Sequence, residues 1–372
     1  MTIIAPCAVI TRSDLQSKQG SVEERFAACF ESNNKYRNTL PKIEQFYFDR
    51  PKTSGQGAIG QAEKVVLTLE HYVKQGQEQS QTKKAIRDAE FLTSRMADRE
   101  MQIEEVLPLS DGYFYVDKTF VGGGAYVAVL RDLEGYKPCK IVCRGTAGRY
   151  SATNSVLSVL NDVQVTFGSM GVRTIWSELS EYLKNKNDKI VQLYGKSLGG
   201  AHAQRLALLI ESTVHTRVEK LTTVCSVGVD DEIHQQFRQV LSERKKPFEI
   251  VIIRNGGATR DVIDPVPLLG GVHLGHNLER KCCKTRIYYI DTSKKISTTP
   301  VATILRFITS FKQHCKQVTL DTFSFRKIKT CNIAEHLAVD GKLEQYRVRV
   351  ATLLQYCIPK RVFPMFYKRG LV

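Results

Sequence analysis

The spacing of hydrophobic and polar positions divides the chain into two parts. Up to about residue 105, apolar residues recur at helical spacing among Lys, Glu and Gln, which predicts helices over 21–31, 61–75 and 82–103. Ser21 is a suitable cap for the first helix, and acidic residues follow it in the first turn. The N-terminal part is therefore expected to be a helical extension.

From about residue 112 short apolar runs alternate with helical patterns. The predicted strands are 113–117, 125–130, 140–143, 189–194, 221–227, 248–253 and 285–290, and the predicted helices are 173–183, 201–212 and 232–243. This alternation is typical of α/β proteins whose mainly parallel sheet is flanked by helices and covered on both faces. We predict an extension over 1–105 and an α/β domain with a basic C-terminal tail over 106–372.

The formal charge of +16 indicates an anionic partner. The basic excess is strongest over 326–372, with ten Lys or Arg against three acidic residues and with aromatic residues between them. Such a stretch can contact an anionic membrane surface, although many charge-rich stretches are simply solvated. Nucleic acid is a less favoured partner, because the sequence has no zinc finger, no RNA-binding signature and no phosphate-binding Gly-rich loop. The oligomeric state is left open.

The ten cysteines are scattered and include no Cys-x-x-Cys pair. A zinc site formed by His273, His276 and the adjacent Cys282 and Cys283 is an alternative, but neighbouring cysteines chelate one tetrahedral ion poorly. We expect no metal and no cofactor. The sequence shows no Sec-type signal peptide and no transmembrane run, so the expected location is cytoplasmic or peripheral to a membrane, with export by another route left open.

A candidate nucleophile lies in Gly195-Lys196-Ser197-Leu198-Gly199, which fits the pattern Gly-x-Ser-x-Gly. The pattern alone is weak, but here it lies between a predicted strand and a predicted helix. A nucleophile elbow needs this context, because the serine occupies a strained turn at which strand and helix nearly touch. The helix N-terminus also favours negative charge beside the serine. A purely structural strand–helix turn is the alternative.

Three blocks in order resemble the fungal-type, or class 3, lipases of the α/β-hydrolase superfamily. They are the Ser197 motif, the upstream residues 141–146 (IVCRGT), and the downstream residues 264–267 (DPVP) followed by 273–275 (HLG). The resemblance covers about 112–275 and implies an α/β-hydrolase-like fold. Residues 151–163 lie where the family has its lid, although another packed helix would fit the pattern equally well.

The resemblance also implies roles for individual residues. The oxyanion hole would be formed by Thr146 and the backbone N–H of Leu198. The catalytic acid would be Asp264, which follows the predicted strand 248–253. Because the loop over 254–263 is longer than in the family, Asp261 is an alternative. Should the strand count be wrong, further alternatives are Asp230 and Asp231.

The catalytic base is less well defined by the resemblance. His273 matches the block over 273–275, but the histidine of that block is not catalytic in the family. The catalytic histidine lies beyond the next strand, which leaves His336 as the first choice and His314, within a predicted helix, as the alternative. Each of these could instead be an ordinary surface or core histidine.

The predicted activity is hydrolysis of carboxylic esters of lipids, triacylglycerol or phospholipid, by a Ser-Asp-His triad through an acyl-enzyme. Lys196 stands where the family usually has His, and a cation beside the mouth would favour an anionic headgroup. A thioesterase or acyltransferase on the same fold is one alternative. Another is a catalytically silent basic protein that binds membranes through a hydrolase scaffold.

Overall fold

The computed structural model describes residues 9–39, 88–89, 91–93, 96, 100–145, 168–213, 215–242, 244, 248–255, 273–274, 283–290 and 328–331. Its helices are α1 (Arg12–Gln16), α2 (Val22–Thr39), α3 (Ser169–Asn185), α4 (Leu198–Thr213) and α5 (Asp231–Ser242). Its strands are β1 (Val106–Leu109), β2 (Gly112–Gly122), β3 (Ala125–Asp132), β4 (Cys139–Cys143), β5 (Ile190–Lys196), β6 (Arg217–Val224), β7 (Phe248–Asn255), β8 (Cys283–Ile290) and β9 (Ile328–Cys331).

The chain divides into two compact units, one comprising 1–88, 101–118 and 130–137, the other comprising 89–100, 119–129 and 138–372. In the first unit, α1 and α2 each begin with a reciprocal cap. At α2 the Glu24 N–H donates to Ser21 Oγ, and the Ser21 N–H donates to the Glu24 carboxylate. Leu15 and Phe26 of these helices pack with Val106 of β1 and Tyr115 of β2 in one apolar cluster. The predicted cap at Ser21 is confirmed.

The helix predicted over 82–103 ends earlier than its pattern suggested. Residues 88–89, 91–93 and 96 are helical, but residues 100–102 are not. Glu104 has φ +67°, and its N–H donates to the carbonyl of Val116, 2.8 Å away. Pairing of this segment with β2 overrides its helical periodicity, so the predicted end at Ile103 is wrong.

In the second unit, β4 to β8 run parallel, and β9 returns antiparallel to β8. Within this unit, β4 to β9 are neighbours in the sheet in the order in which they occur along the chain. The prediction of a mainly parallel sheet with helices is thereby confirmed. The helices α3, α4 and α5 lie on one face of the sheet, because they share one apolar cluster with it and α4 contacts both α3 and α5.

The main apolar core lies between this helical layer and the sheet. It contains alternate residues of the strands, such as Val191 and Leu193 of β5, together with apolar residues of α3, α4 and α5. On the other face of the sheet Val142 and Tyr194 are buried as well. Among the described residues, no helix is long and apolar enough to cross a membrane.

Candidate active site

Ser197 occupies the turn between β5 and α4 and has an unusual backbone conformation. Its φ is +53°, in the left-handed region that residues with a side chain rarely adopt. Such a conformation costs about 1–3 kcal/mol and persists only where the surrounding structure enforces it. The flanking residues 195–196 and 198–200 are buried, whereas Ser197 is partly exposed. The turn therefore presents its serine towards solvent.

The glycines around Ser197 allow strand and helix to approach closely. A Cβ atom on Gly195 would lie 2.2 Å from the carbonyl oxygen of Gly199, and one on Gly200 would lie 2.1 Å from Ser226 Oγ. A Cβ atom on Gly199 would lie 2.3 Å from the carbonyl oxygen of Cys143. Since real Cβ atoms do not approach other atoms so closely, these three positions require glycine. This is the geometry expected of a nucleophile elbow.

The end of β4 runs directly beside the turn. Cys143 is in register with Gly195 of β5, and Gly195 is in register with Thr223 of β6. Gly145 lies two residues after Cys143 and next to the Ser197 turn. A Cβ atom on Gly145 would lie 2.9 Å from the carbonyl oxygen of Lys196 and 3.4 Å from Ser197 Cβ. The carboxyl ends of parallel strands thus meet at the edge where ligands bind in open α/β sheets.

The N-terminus of α4 lies immediately behind the serine. Leu198 is the first residue of the helix and is fully buried. The first N–H groups of a helix have no partner within it, and they carry the positive end of the helix dipole. Negative charge that develops on a group bound to Ser197 would therefore meet a favourable field.

Lys196 does not present a solvated charge at the mouth of this site. Only 8% of the residue is exposed. The expectation that it attracts an anionic headgroup from the surface is wrong, because the side chain lies within the protein. The sequence pattern gave no sign of this, since strand-end positions are exposed in some folds and buried in others.

A buried polar network ties the back of the elbow to residues that follow the predicted acid loop. Gln204 of α4 donates through Nε2 to Ser226 Oγ (3.0 Å) and to the carbonyl of Val227 (2.9 Å). Its Oε1 accepts from the N–H of Leu274 at 2.9 Å. Because Gln204 is fully buried and bonds both residues 226–227 and Leu274, it holds residues 273–274 against α4.

His273 is part of the same buried region. Its Nε2 lies 2.8 Å from Thr223 Oγ1, and its carbonyl accepts a hydrogen bond from His234 Nε2 at 3.0 Å. Both contacts give His273 a structural role, as expected for a histidine that is not the catalytic base. No group of three or more metal-binding side chains is found among the described residues, and His276 and Cys282 lie outside them.

Asp230, one of the alternatives for the acid, has a structural role. Its carboxylate pairs with Arg205 at 2.5 Å and accepts from the Ile233 N–H at 3.1 Å, where it caps α5. Burial alone would raise the pKa of Asp230, but the Arg205 charge and these hydrogen bonds outweigh it and lower the pKa. Asp231 begins α5. Neither residue is needed to explain the Ser197 turn.

The remaining predicted site residues lie outside the described residues. They are Thr146, Asp261, Asp264, His314 and His336, together with the lid candidate over 151–163. Of the predicted set, the structure brings together Ser197, Leu198 and the strand end that leads to Thr146. The triad as a whole stays a prediction.

Two further polar residues near the elbow escaped the sequence analysis. His202 of α4 is fully buried, and neither ring nitrogen has a hydrogen-bond partner in the structure as far as it is described. Cys225 follows β6 as Ser197 follows β5, and it has φ +46°. The only available signal for His202 was a polar residue within an apolar helix; for Cys225 there was none.

The sequence matches no family model and no curated protein sequence. Among solved structures, the chain is similar to a triacylglycerol lipase from Penicillium expansum (13% identity, 55% of this chain and 76% of that one, TM-score 0.32). It is also similar to a lipase from Yarrowia lipolytica (13%, 63% and 93%, TM-score 0.39) and to a Rhizomucor miehei lipase in a propeptide complex (19%, 52% and 64%, TM-score 0.32).

Proposed function

We propose that this chain is a serine hydrolase that cleaves carboxylic esters of lipids, with Ser197 as the nucleophile. The observation that carries the proposal is the conformation of Ser197. A serine at φ +53°, partly exposed between a buried strand and a buried helix, occupies a position that packing alone does not require. Strain of this kind is concentrated at functional sites, where it places a reactive atom.

The chemistry follows from the groups around the turn. Ser197 Oγ attacks the ester carbonyl while a histidine accepts its proton, and the carbonyl oxygen becomes an oxyanion. The Leu198 N–H and Thr146 stabilise that oxyanion, which in comparable sites lowers the barrier by several kcal/mol. The histidine then protonates the departing alcohol. Water next attacks the acyl-enzyme, the histidine accepts its proton and passes it to Ser197 Oγ, and the carboxylic acid is released.

We assign the base to His336 and the orienting acid to Asp264, with His314 and Asp261 as the alternatives. Support for Asp264 comes from chain order. β7 lies two strands beyond β5, and it ends at Asn255 on the same edge of the sheet as Ser197, so the segment after it starts at the site. Support for His336 comes from the sequence resemblance.

The substrate is proposed to be a triacylglycerol or a phospholipid, and the basic residues over 326–372 are proposed to contact an anionic membrane surface. The helical extension is proposed to cover 1–105, and the hydrolase domain 106–372. Since Lys196 is buried, it favours neither class of lipid.

A fluorophosphonate probe tests the nucleophile directly. The purified protein is treated with the probe in the presence and absence of lipid vesicles, and the labelled residue is identified by mass spectrometry. We expect labelling of the wild type, its loss in Ser197→Ala, and its retention in Ser180→Ala. Ser180 is a suitable control because it lies in α3, where its hydroxyl donates to the carbonyl of Ser177.

Failure of the wild type to react under both conditions would refute the proposed activity and favour the silent membrane-binding alternative. Where labelling succeeds, hydrolysis rates on triacylglycerol, phospholipid and acyl-thioester substrates separate a lipase from a thioesterase. Single substitutions at His336, His314, Asp264 and Asp261 then identify the base and the acid, since loss of either reduces kcat by several orders of magnitude.

A further inference from the structure

Arg144 is a buried cation one residue away from the segment that passes Ser197. Its side chain is only 3% exposed. The guanidinium lies over the ring of Tyr126, 4.6 Å from the centroid, and its Nη1 is 3.4 Å from Glu100 Oε1. Burying a cation is costly unless it gains fixed partners, so this arrangement calls for a functional reason.

The main chain of Arg144 is clamped between β3 and the elbow. Its N–H donates to the carbonyl of Tyr126 at 2.9 Å. On the other side, a Cβ atom on Gly199 would lie 2.6 Å from the carbonyl carbon and oxygen of Arg144. Tyr126 therefore holds both the main chain and the side chain of Arg144, while the N-terminal turn of α4 packs against the same peptide.

A shift at Arg144 would be passed on directly to the serine turn. At the next residue, Gly145, there is no room for a side chain, since a Cβ atom would lie 2.9 Å from the Lys196 carbonyl oxygen and 3.4 Å from Ser197 Cβ. The residue after that is Thr146, the proposed oxyanion donor. A misplacement of about 1 Å in a catalytic group can reduce the rate about a hundredfold.

We propose that Arg144, stacked on Tyr126 and paired with Glu100, is a positioning residue that aligns the strand end after β4 with Ser197. This inference rests on the proposed serine-hydrolase function. Arg144 touches no substrate, and its effect is on the distance between the nucleophile and the oxyanion donors. Glu100 lies before the predicted hydrolase domain over 106–372, so the N-terminal part of the chain contributes to the site through this pair.

Arginine is suited to this role in a way that lysine is not. A planar guanidinium can stack on an aromatic ring while one of its N–H groups points along the plane to a carboxylate. An ammonium group keeps the charge but is a compact point donor without a plane. The variant Arg144→Lys therefore removes the stacked geometry and preserves the charge.

The test compares Arg144→Lys with the wild type on a short, soluble p-nitrophenyl ester. We expect kcat to fall at least about tenfold while KM stays within about twofold, because alignment matters chiefly in the transition state. The inhibition constant of a trifluoromethyl ketone, which forms a tetrahedral adduct with serine, is expected to rise by the same factor as kcat falls. A purely structural role would not link these two changes.

Arg217→Lys is the control for loss of a guanidinium–carboxylate pair at an exposed position, since the Arg217 side chain is 59% exposed. Arg217 also pairs with a glutamate, Glu211, at 3.2 Å. It lies at the amino end of β6, about 23 Å along that strand from Val224, whose carbonyl accepts the Ser197 N–H. We expect this variant to keep the wild-type kcat and the wild-type inhibition constant.

The inference would be overturned if Arg144→Lys kept its kcat within twofold, or if kcat fell without a change in the inhibition constant. Should Arg144→Lys fail to fold, Glu100→Gln provides the test. Glu100 is 47% exposed, so this substitution leaves the packing of the core unchanged. That variant is expected to lower kcat about threefold and to weaken the ketone equally; unchanged constants would count against the proposal. An unlabelled wild type would instead show that the proposed function has failed.

Discussion

His202 makes the stability of the protein depend on pH, and the size of the effect follows from its surroundings. The ring is fully buried beside α3. A Cβ atom on Gly168 would lie 2.6 Å from its Cδ2, and one on Gly171 would lie 3.1 Å from its Nε2. Burial, and secondarily the positive charge of Arg205, lower the pKa of His202 from 6.5 to about 3. The folded protein therefore holds this ring neutral.

The sign of the effect is set by the unfolded chain, in which the pKa of the same ring is close to 6.5. Below that pH the unfolded state binds a proton that the folded state does not bind, so the free energy of unfolding decreases. The loss is about 1.4 kcal/mol per pH unit between pH 6.5 and 3, and about 2.7 kcal/mol between pH 7.5 and 4.5.

Substitution of His202 by Leu removes the imidazole that binds this proton in the unfolded chain, and with it both buried ring nitrogens. The assay is urea unfolding at several pH values, followed by the fluorescence of Trp176, the single tryptophan, which lies in α3 against the main core. We expect the wild-type free energy to fall between pH 7.5 and 4.5 by about 2.7 kcal/mol more than that of His202→Leu. His215→Gln, which removes an exposed imidazole, is the control and should follow the wild type. Parallel pH profiles for wild type and His202→Leu would refute the reasoning.

Three further predictions concern the elbow and its support. In Gly199→Ala the new methyl group would lie 2.3 Å from the Cys143 carbonyl oxygen, so we expect fluorophosphonate labelling to slow at least about a hundredfold; a normal rate would contradict the close approach. Gln204→Leu removes the buried hydrogen bonds to Ser226, Val227 and Leu274 and should lower the free energy of unfolding by about 2–4 kcal/mol in urea titrations, whereas a loss below 1 kcal/mol would argue against the network. Asp230→Asn should cost about 1.5–3 kcal/mol at neutral pH, because the side chains of the pair are only 20% and 8% exposed and the carboxylate accepts charge-assisted hydrogen bonds. Since its pKa is lowered, the stabilisation by Asp230 is present above pH 3.8 and is lost as the pH falls through the lower folded value, so the difference between variant and wild type should shrink there.

The sequence by itself determined the order of elements in the second unit and predicted the strand–helix turn that contains Ser197. Short apolar runs predicted β2 to β8, and helical patterns predicted α3, α4 and α5, because these segments bury one face or both against a single core. The elbow was predictable for a local reason. A turn that brings β5 and α4 into contact needs glycine at 195, 199 and 200, and these glycines are visible in the sequence as a local pattern.

Elements whose formation depends on a distant partner were not predictable. β1 contains Pro108, which argues against a strand, yet it pairs antiparallel with β2. β9 forms on the edge of β8, more than thirty residues away in sequence. The helical pattern over 82–103 ended early for the same reason, since pairing of residue 104 with β2 outweighs local periodicity.

Tertiary structure alone decided what the charged and polar groups near the elbow do. Lys196 and Asp230 were read from the sequence as a surface charge and a possible acid, but one is buried and the other is an ion-paired helix cap. His202 is kept neutral, and Arg144 is stacked on Tyr126. The physical reason is common to all four. Solvation and electrostatic partners set the state of an ionisable group, and both are supplied by segments far apart in the chain.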